Sequence, residues 1–190
     1  VAQVTDEVVL LDASARPIGT HSRATVHGAD TPLHLAFSCY LLDAQGRLLL
    51  TRRAMSKRAW PGVWTNSFCG HPRPGESVPE AVGRHAAHEL GVSVSDIREV
   101  LPDFRYRAVD PSGVVENEVC PVLTAVTSQP VRANADEVMD LRWVEPQELG
   151  ALVAVAPWVL SPWAVAQVHE LAALEEGFPD ALDVARRLVR

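Results

Sequence analysis

Residues 114–120 limit what can be built around them. The run reads Val-Val-Glu-Asn-Glu-Val-Cys, and successive side chains on a β-strand point to opposite faces. Glu116, Glu118 and Cys120 therefore share one face, and Val115, Asn117 and Val119 share the other. Carboxylates two residues apart on a strand lie roughly 6–7 Å from each other. Burying both is costly unless something positive binds them. Either this strand lies at a sheet edge with its acidic face in water, or the fold brings a cation to it, for which a divalent metal ion is the economical choice.

The histidines supply the other half of such a site. His27 and His34 flank the loop Gly28-Ala-Asp-Thr-Pro-Leu33, and His71 follows Cys69-Gly70. Three imidazoles with Glu116 and Glu118 make a five-ligand nitrogen and oxygen set with one position open. That set suits Mn²⁺, Fe²⁺, Zn²⁺ or Mg²⁺ more than a thiolate-bound structural zinc. Taken singly, each histidine is equally at home as a surface or hydrogen-bonded residue. The metal reading depends on the five converging.

Residues 64–77, Trp-Thr-Asn-Ser-Phe-Cys-Gly-His-Pro-Arg-Pro-Gly-Glu-Ser, place a thiol, an imidazole and a carboxylate in a loop rich in glycine and proline. Cys69 reads as a nucleophile or a proton carrier. Ser77-x-x-Glu80 is a capping box with Pro79 in the first turn, so a helix is expected to run to Leu90 and stop at Gly91. Arg52, Arg53, Lys57 and Arg58 stand in or beside the loop before Trp60, and Arg23 lies near His27. Such a run is often only a solvated loop. Against a net charge of −7, however, local positive charge beside a metal site is what a diphosphate requires. Most of Trp60, Trp64, Tyr106, Trp158 and Trp163 belong to the core, and one or two are suited to line an apolar cavity and face a cation.

The remaining pattern is a mixture of strands and helices. Strands are expected over 7–12, 33–43, 47–53, 64–67, 100–106, 114–126 and 139–144, with a hairpin turn at Ala44-Gln45-Gly46. Helices are expected from Ser161 to about Leu174 and over 179–190. The order indicates an α+β fold, a sandwich with helices covering a mixed sheet. At 190 residues and 47% hydrophobic, one domain over 1–190 can bury a sizeable core, with helices of about 157–190 packed on it. The negative charge argues against nucleic acid as the main partner. Neither a signal peptide nor a membrane-spanning apolar run is visible, and three cysteines suit a reducing compartment. A cytoplasmic monomer with no membrane partner is the expectation.

Gly70-x₅-Glu76-x₇-Arg84 with Glu89-x-Gly91-Val92 resembles most of the Nudix box, except that His85 and His88 stand at glutamate positions and Ala86 at an aliphatic one. More widely, Asp30-Thr-Pro-Leu-His-Leu-Ala-Phe37, Ala59-Trp-Pro-Gly-Val-Trp-Thr-Asn-Ser67, Cys69-Gly-His-Pro72, Tyr106-Arg-Ala108, Glu116-Asn-Glu118 and Ser161-Pro-Trp163 resemble the type 1 isopentenyl-diphosphate Δ-isomerases. The resemblance runs from about Val8 to Trp163. It implies a Nudix-like α/β/α sandwich with a central helix and additional C-terminal helices. It also implies interconversion of isopentenyl and dimethylallyl diphosphate, small prenyl diphosphates, through a tertiary carbocation. By similarity, His27, His34, His71, Glu116 and Glu118 would hold the first metal ion, Mn²⁺ or another divalent ion. Glu89 would help bind a second, Mg²⁺, that bridges to the substrate. Glu118 with Tyr106 would deliver a proton to one face, Cys69 would remove one from the other, and Trp163 would stabilise the cation. Arg23, Arg53 and Lys57 would hold the phosphates. Arg23 replaces a lysine of the family pattern, and His85 replaces an arginine, so the contact of His85 with diphosphate is the open position. A Nudix diphosphohydrolase and a metal-stabilised module without catalysis are the alternatives.

Overall fold

Buried backbone groups need partners, and the way this chain satisfies them sets its architecture. The computed structural model describes residues 6–174. In chain order the first strands are β1 (Glu7–Leu11), β2 (Pro17–Ser22), β3 (His34–Leu35), β4 (Phe37–Leu42), β5 (Leu48–Arg53), β6 (Trp64–Thr65) and β7 (Phe68–Gly70). They are followed by β8 (Ser95–Leu101), β9 (Arg105–Val109), β10 (Val115–Val119), β11 (Val122–Val126) and β12 (Val138–Val144). The helices are α1 (Arg23–Val26), α2 (Val78–His85), α3 (Pro146–Val155) and α4 (Pro162–Ala172). One sheet has the order β2-β1-β3-β10-β9, and the other β12-β5-β4-β11-β8, with β6 on β5 and β7 on β4.

The sequence reads as one strand over 114–126, but the structure divides it. Pro121 lacks an N–H, and the chain bends there from β10 in one sheet to β11 in the other. The strand expected over 33–43 bends beside it at Ala36. Parallel pairing survives the bend, with Glu118 opposite His34 before it and Val122 opposite Ser38 after it. Ala36 N–H bonds Val119 O at 2.9 Å and Ser38 N–H bonds Pro121 O at 3.0 Å across the joint. The strand expected over 100–106 likewise falls on the end of β8, a loop and the start of β9, which lie in different sheets.

A second irregularity makes room for the site. β4 and β5 pair only at Leu42 and Leu48 and then splay. The segment carrying β6 and β7 fills the wedge, pairing with both. Ser67 bridges the gap: its Oγ accepts Leu41 N–H at 2.6 Å and donates to Leu49 O at 2.6 Å. Thr51 Oγ1 donates to the carbonyls of Asn66 and Ser67. The wedge is thereby tied on both sides, and it delivers Cys69 opposite Ser38.

Helices cover both faces of this second sheet, as an α/β/α sandwich requires. Ala81, Val82, Ala86 and Leu90 pack with Phe37, Leu41, Leu49, Phe68 and Leu123 on one side. Leu149, Val153, Trp163, Ala164, Val168 and Leu171 pack with Tyr40, Leu48, Leu50, Phe104 and Val122 on the other. Glu80 accepts the Ser77 N–H at 2.9 Å at the start of α2, as the capping box requires. The helix widens into a π turn over Ala86–Leu90 and ends at Gly91 with φ of 65°. A Cβ there would lie 2.9 Å from Arg132 O, so glycine is required twice over. β2 and α3 are unanticipated for definable reasons. Every residue of β2 is exposed, so no alternation marks it, and α3 starts behind Glu145 rather than a Ser, Thr, Asp or Asn. The helix expected over 179–190 lies outside the described residues. Among the described residues, no helix is long and apolar enough to cross a membrane.

Glu76 fastens the Cys69–His71 loop to α2. Its carboxylate accepts Arg84 Nε at 2.7 Å, Arg84 Nη2 at 2.6 Å and Arg73 N–H at 2.8 Å. Arg84 Nη2 also donates to His71 O at 3.0 Å. The Arg84 contact holds the Glu76 carboxyl below the usual carboxylate range. A depressed folded-state value means this contribution is present above the unfolded value of about 4.3 and is lost as pH falls through the folded one. Glu76→Gln is expected to cost about 1–2 kcal/mol at neutral pH and to shallow the acid limb of a stability-versus-pH curve. An unchanged acid limb would contradict this role.

Candidate active site

Cross-strand register brings the acidic residues to their partners. On β10, Glu118 stands opposite Tyr106 of β9 on one side and His34 of β3 on the other. The alternation read from the sequence holds: Glu116 and Glu118 share a face, while Asn117 on the other face donates to Thr31 O at 3.1 Å and fastens the 28–34 loop. Tyr106 OH donates to Glu118 Oε2 at 2.8 Å and Glu116 Oε2 at 3.1 Å. Glu118 is 3% exposed and Glu116 7%. Burial, with the charge of Glu118 beside it, pushes the Glu116 carboxyl up to about 8. Burial acts on Glu118 in the same direction, but the surrounding imidazoles outweigh it and hold Glu118 well below the usual range. The two carboxyls, joined through the Tyr106 hydroxyl, are disposed to hold one proton between them.

His27, His34, His71 and Glu118 each turn one ligand atom into a group in which all four lie within 4.8 Å of one another. His34 Nε2 is 3.2 Å from His71 Nε2 and 3.4 Å from Glu118 Oε1, and His71 Nε2 is 3.2 Å from the same oxygen. His34 Nδ1 donates to Pro32 O at 2.9 Å, which in the neutral ring leaves a lone pair on Nε2. Burial pushes the His71 imidazole down to about 4, so that ring is neutral near pH 7, whereas at His34 burial is outweighed by the hydrogen bond and charge of Glu118, which leave its imidazole above the usual value. His27 Nε2 is buried without a hydrogen-bond partner, 4.0 Å from Glu118 and 3.9 Å from Glu116. An orphaned buried nitrogen among converging lone pairs and a carboxylate fits a divalent cation. Glu116 lies beside these four rather than in the converging set, bonded through Tyr106.

Cys69, on β7, is partly exposed to a cavity of about 640 Å³. Its Sγ lies 3.3 Å from Ser38 Oγ and 3.2 Å from Asn66 Oδ1, and burial pushes the thiol up to about 11. Trp163 is 2% exposed, with Nε1 bonded to Asn66 Oδ1 at 3.1 Å. Its ring is 5.6 Å from Tyr106 and 6.1 Å from Trp60 by centroid. The Arg53 guanidinium carbon lies 5.7 Å over the Trp163 ring, so this π face already accepts a cation.

Positive charge lies around the same cavity. Arg23, Arg53 and Lys57 line it, as do Arg58, Arg73 and Arg84. Arg53 is oriented by bonds to Ala59 O at 3.2 and 2.9 Å. Lys57 pairs with Glu137, which also faces His88 at 3.4 Å. Arg23 pairs with Asp6 at 2.9 Å. His85 Nδ1 is 2.7 Å from Glu89 Oε1, and a Cβ on Gly70 would lie 2.4 Å from the His85 ring, so the glycine makes room for the imidazole.

The fold therefore brings His27, His71, Cys69, Glu116, Glu118, Tyr106, Trp163, Glu89, His85, Arg23, Arg53 and Lys57 to one cavity, with His34 fully buried against them. The sequence reading missed Asp6 and Glu137, which pair with the basic residues, and Ser38 and Asn66, which contact the thiol. Lys57 and Glu137 are 80 residues apart, and no local pattern joins them. Asn66 stands inside the Trp-Thr-Asn-Ser run, where its position beside Cys69 was the available signal.

A family model described as the NUDIX domain matches residues 32–164. An isopentenyl-diphosphate Delta-isomerase of Agromyces mediolanus is 58% identical over 170 residues, covering 90% of this chain and 82% of that protein. The enzyme of the same name from Escherichia coli is 53% identical over 163 residues, covering 86% and 90%. A solved structure from Deinococcus radiodurans superposes with a TM-score of 0.65 at 19% identity, covering 86% of this chain and 98% of that one. A MutT protein from Methanosarcina mazei does so with 0.54 at 20%, covering 71% and 89%. These two carry the fold alone.

The four converging ligand atoms make a direct expectation for ion binding. Titrating the chelator-treated protein with Mn²⁺ is expected to raise its unfolding temperature, by about 2.7 kcal/mol of stabilisation at 100 times Kd. His34→Ala should abolish the shift. A shift that persists in His34→Ala would place the ion elsewhere.

Proposed function

The chain belongs to the NUDIX family and, within it, to the isopentenyl-diphosphate Delta-isomerases, and from that membership we propose how its cavity interconverts isopentenyl and dimethylallyl diphosphate. The substrate alkene is unactivated. Protonating its terminal methylene creates a tertiary carbocation, which water would quench, so the reaction needs a strong acid, a base and a water-poor site. The observation that carries the assignment is that the Glu118–Tyr106 pair and the Cys69 thiol open onto one cavity beside the Trp163 face.

In this reading Glu118, with Tyr106 bonded to its carboxyl, delivers the proton to the methylene. The cation rests against Trp163, a contact worth about 2 kcal/mol when desolvated. Cys69, which enters this direction as the thiolate with the proton held on the Glu118 carboxyl, then removes a proton from the allylic carbon. The S–H bond forms as the C–H bond breaks, and the freed electron pair becomes the new double bond. In the reverse direction the two residues exchange roles. Arg23, Arg53 and Lys57 hold the diphosphate, with His85 beside Glu89 at the corner where the family pattern has arginine. His27, His34, His71 and Glu118, with Glu116 adjacent, would hold the first ion, Mn²⁺ or alternatively Mg²⁺, Zn²⁺ or Fe²⁺, and Glu89 a second, Mg²⁺. When bound, these ions polarise the Glu118 carboxyl and neutralise diphosphate charge. Hydrolysis is disfavoured because His85 and His88 replace helix carboxylates and Glu76 is committed to Arg84. With a small-molecule prenyl diphosphate as substrate, the reading is of a cytoplasmic monomer.

Proton NMR of isopentenyl diphosphate in D₂O with enzyme and Mg²⁺ is expected to show dimethylallyl product with deuterium in its new methyl group. Released phosphate without that product would sink the assignment. Cys69→Ala is expected to lower kcat by about 10³-fold or more while retaining Mn²⁺ binding. Isomerisation by Cys69→Ala at the wild-type rate would remove the thiol from the mechanism.

A further inference from the structure

The chemistry above leaves Ser38, Gln167 and Cys120 without a role, although all three are buried beside the thiol. Ser38 Oγ lies 3.3 Å from Cys69 Sγ and 3.4 Å from Cys120 Sγ, and it accepts from Gln167 Nε2 at 2.9 Å. Gln167 Oε1 in turn accepts from Tyr40 OH at 3.0 Å. Either hydroxyl could donate or accept, so the orientation of the amide between them decides which way each one points. With Nε2 turned to Ser38, the serine oxygen receives a hydrogen bond, and its own single hydrogen is left for a sulfur.

The other side of the thiol is fixed in the opposite sense. Asn66 Nδ2 donates to Cys39 O at 3.0 Å and Phe68 O at 2.9 Å. Both neighbours are carbonyls, so the amide has one orientation, and Oδ1 faces the sulfur able only to accept. Thr65 Oγ1 and Trp163 Nε1 donate to the same oxygen. Cys69 thus lies between a group poised to donate a hydrogen to it and a group that can only accept one from it.

We propose that Ser38, oriented by Gln167, is a positioning residue for proton transfer at Cys69, donating to the sulfur when its proton is gone. When the proton is on sulfur, S–H turns to Asn66 and the Ser38 hydrogen turns to Cys120. The exchange rotates one hydroxyl and one thiol and moves no heavy atom. Water cannot serve these needs in a site that must protect a carbocation, and a buried group without a partner is costly. A reversible isomerase requires both forms of the sulfur, and each has its partner in place. The proposal rests on the assignment of Cys69 as a proton carrier.

The test compares Ser38→Ala, Gln167→Glu, the double variant and Cys69→Ala, each checked for folding and Mn²⁺ uptake. Ser38→Ala is expected to lower kcat by about 10–100-fold, the worth of one hydrogen bond to a charged group, with KM for isopentenyl diphosphate unchanged. Gln167→Glu keeps the shape and, as the carboxylate, can only accept, so assayed at a pH that ionises it, it should draw the Ser38 hydrogen away from sulfur and lower kcat similarly. The double variant should be no slower than Ser38→Ala, whereas a merely structural role would make the losses multiply. If Gln167→Glu does not fold, the kcat and KM of Ser38→Ala decide alone. Wild-type kcat in Ser38→Ala, or a rise in KM alone, with Cys69→Ala inactive would overturn the proposal. Activity in Cys69→Ala would instead remove the premise beneath it.

Discussion

Glu118 is a carboxylate taken out of water, and much of the surrounding fold makes that tolerable. An isolated charge in a protein interior is prohibitively costly. Here three imidazoles face one of its oxygens and the Tyr106 hydroxyl binds the other. Each of those partners arrives on a different segment: His27 after α1, His34 on β3, His71 after β7 and Tyr106 on β9. The register that pairs Glu118 with both His34 and Tyr106 is therefore also the register that closes the first sheet. Slipping β10 by one residue would turn both carboxylates to the Asn117 face and leave the histidines without a partner.

The second sheet contributes the thiol through a different device. Splaying β4 from β5 opens a wedge, and the chain that fills it must satisfy edge hydrogen bonds on both sides. Ser67 and Thr51 do so, and the cost of the irregularity is confined to positions where side chains replace the missing ladder. The reward is a short strand end projecting Cys69 toward the cavity from the sheet opposite to that of Glu118. Glu118 and Cys69, the acid and base of the proposed reaction, come from separate sheets, and Trp163 on α4 contacts both sides through Tyr106 and Asn66. Of the basic residues lining the cavity, Arg23 and Lys57 are already paired with Asp6 and Glu137, so in the proposed function substrate phosphates would compete with ion pairs rather than meet bare charge.

Much of this was legible in the residues. Alternation placed Glu116 and Glu118 on one face, donor chemistry selected His27, His34 and His71, and the capping box located α2. What alternation could not supply was the third dimension. Residues 114–126 read as one strand because their β-character is unbroken on either side of Pro121, and only pairing shows the chain changing sheets there. β2 has no buried face to impose a period, and α3 lacks the usual first residue. Four of the five expected ligand atoms lie within 4.8 Å of one another, and Glu116 stands beside them, 3.9 Å from His27. Ser38 and Gln167 are neutral polar residues whose sequence context carries no sign of their neighbours, and Asn66 offers only its place near Cys69. Their part follows only from which atoms they face.

In the proposed division of labour, Glu118 with Tyr106 handles the alkene end and Cys69 handles the allylic end. Deuterium exchange catalysed by Cys69→Ala in D₂O tests it most directly. With the acid intact and the base removed, the cation should form and collapse back, washing deuterium into the terminal methylene of isopentenyl diphosphate with little dimethylallyl product. Glu118→Gln should show exchange at neither end. Methylene exchange that survives in Glu118→Gln but vanishes in Cys69→Ala would reverse the assignment and contradict the account.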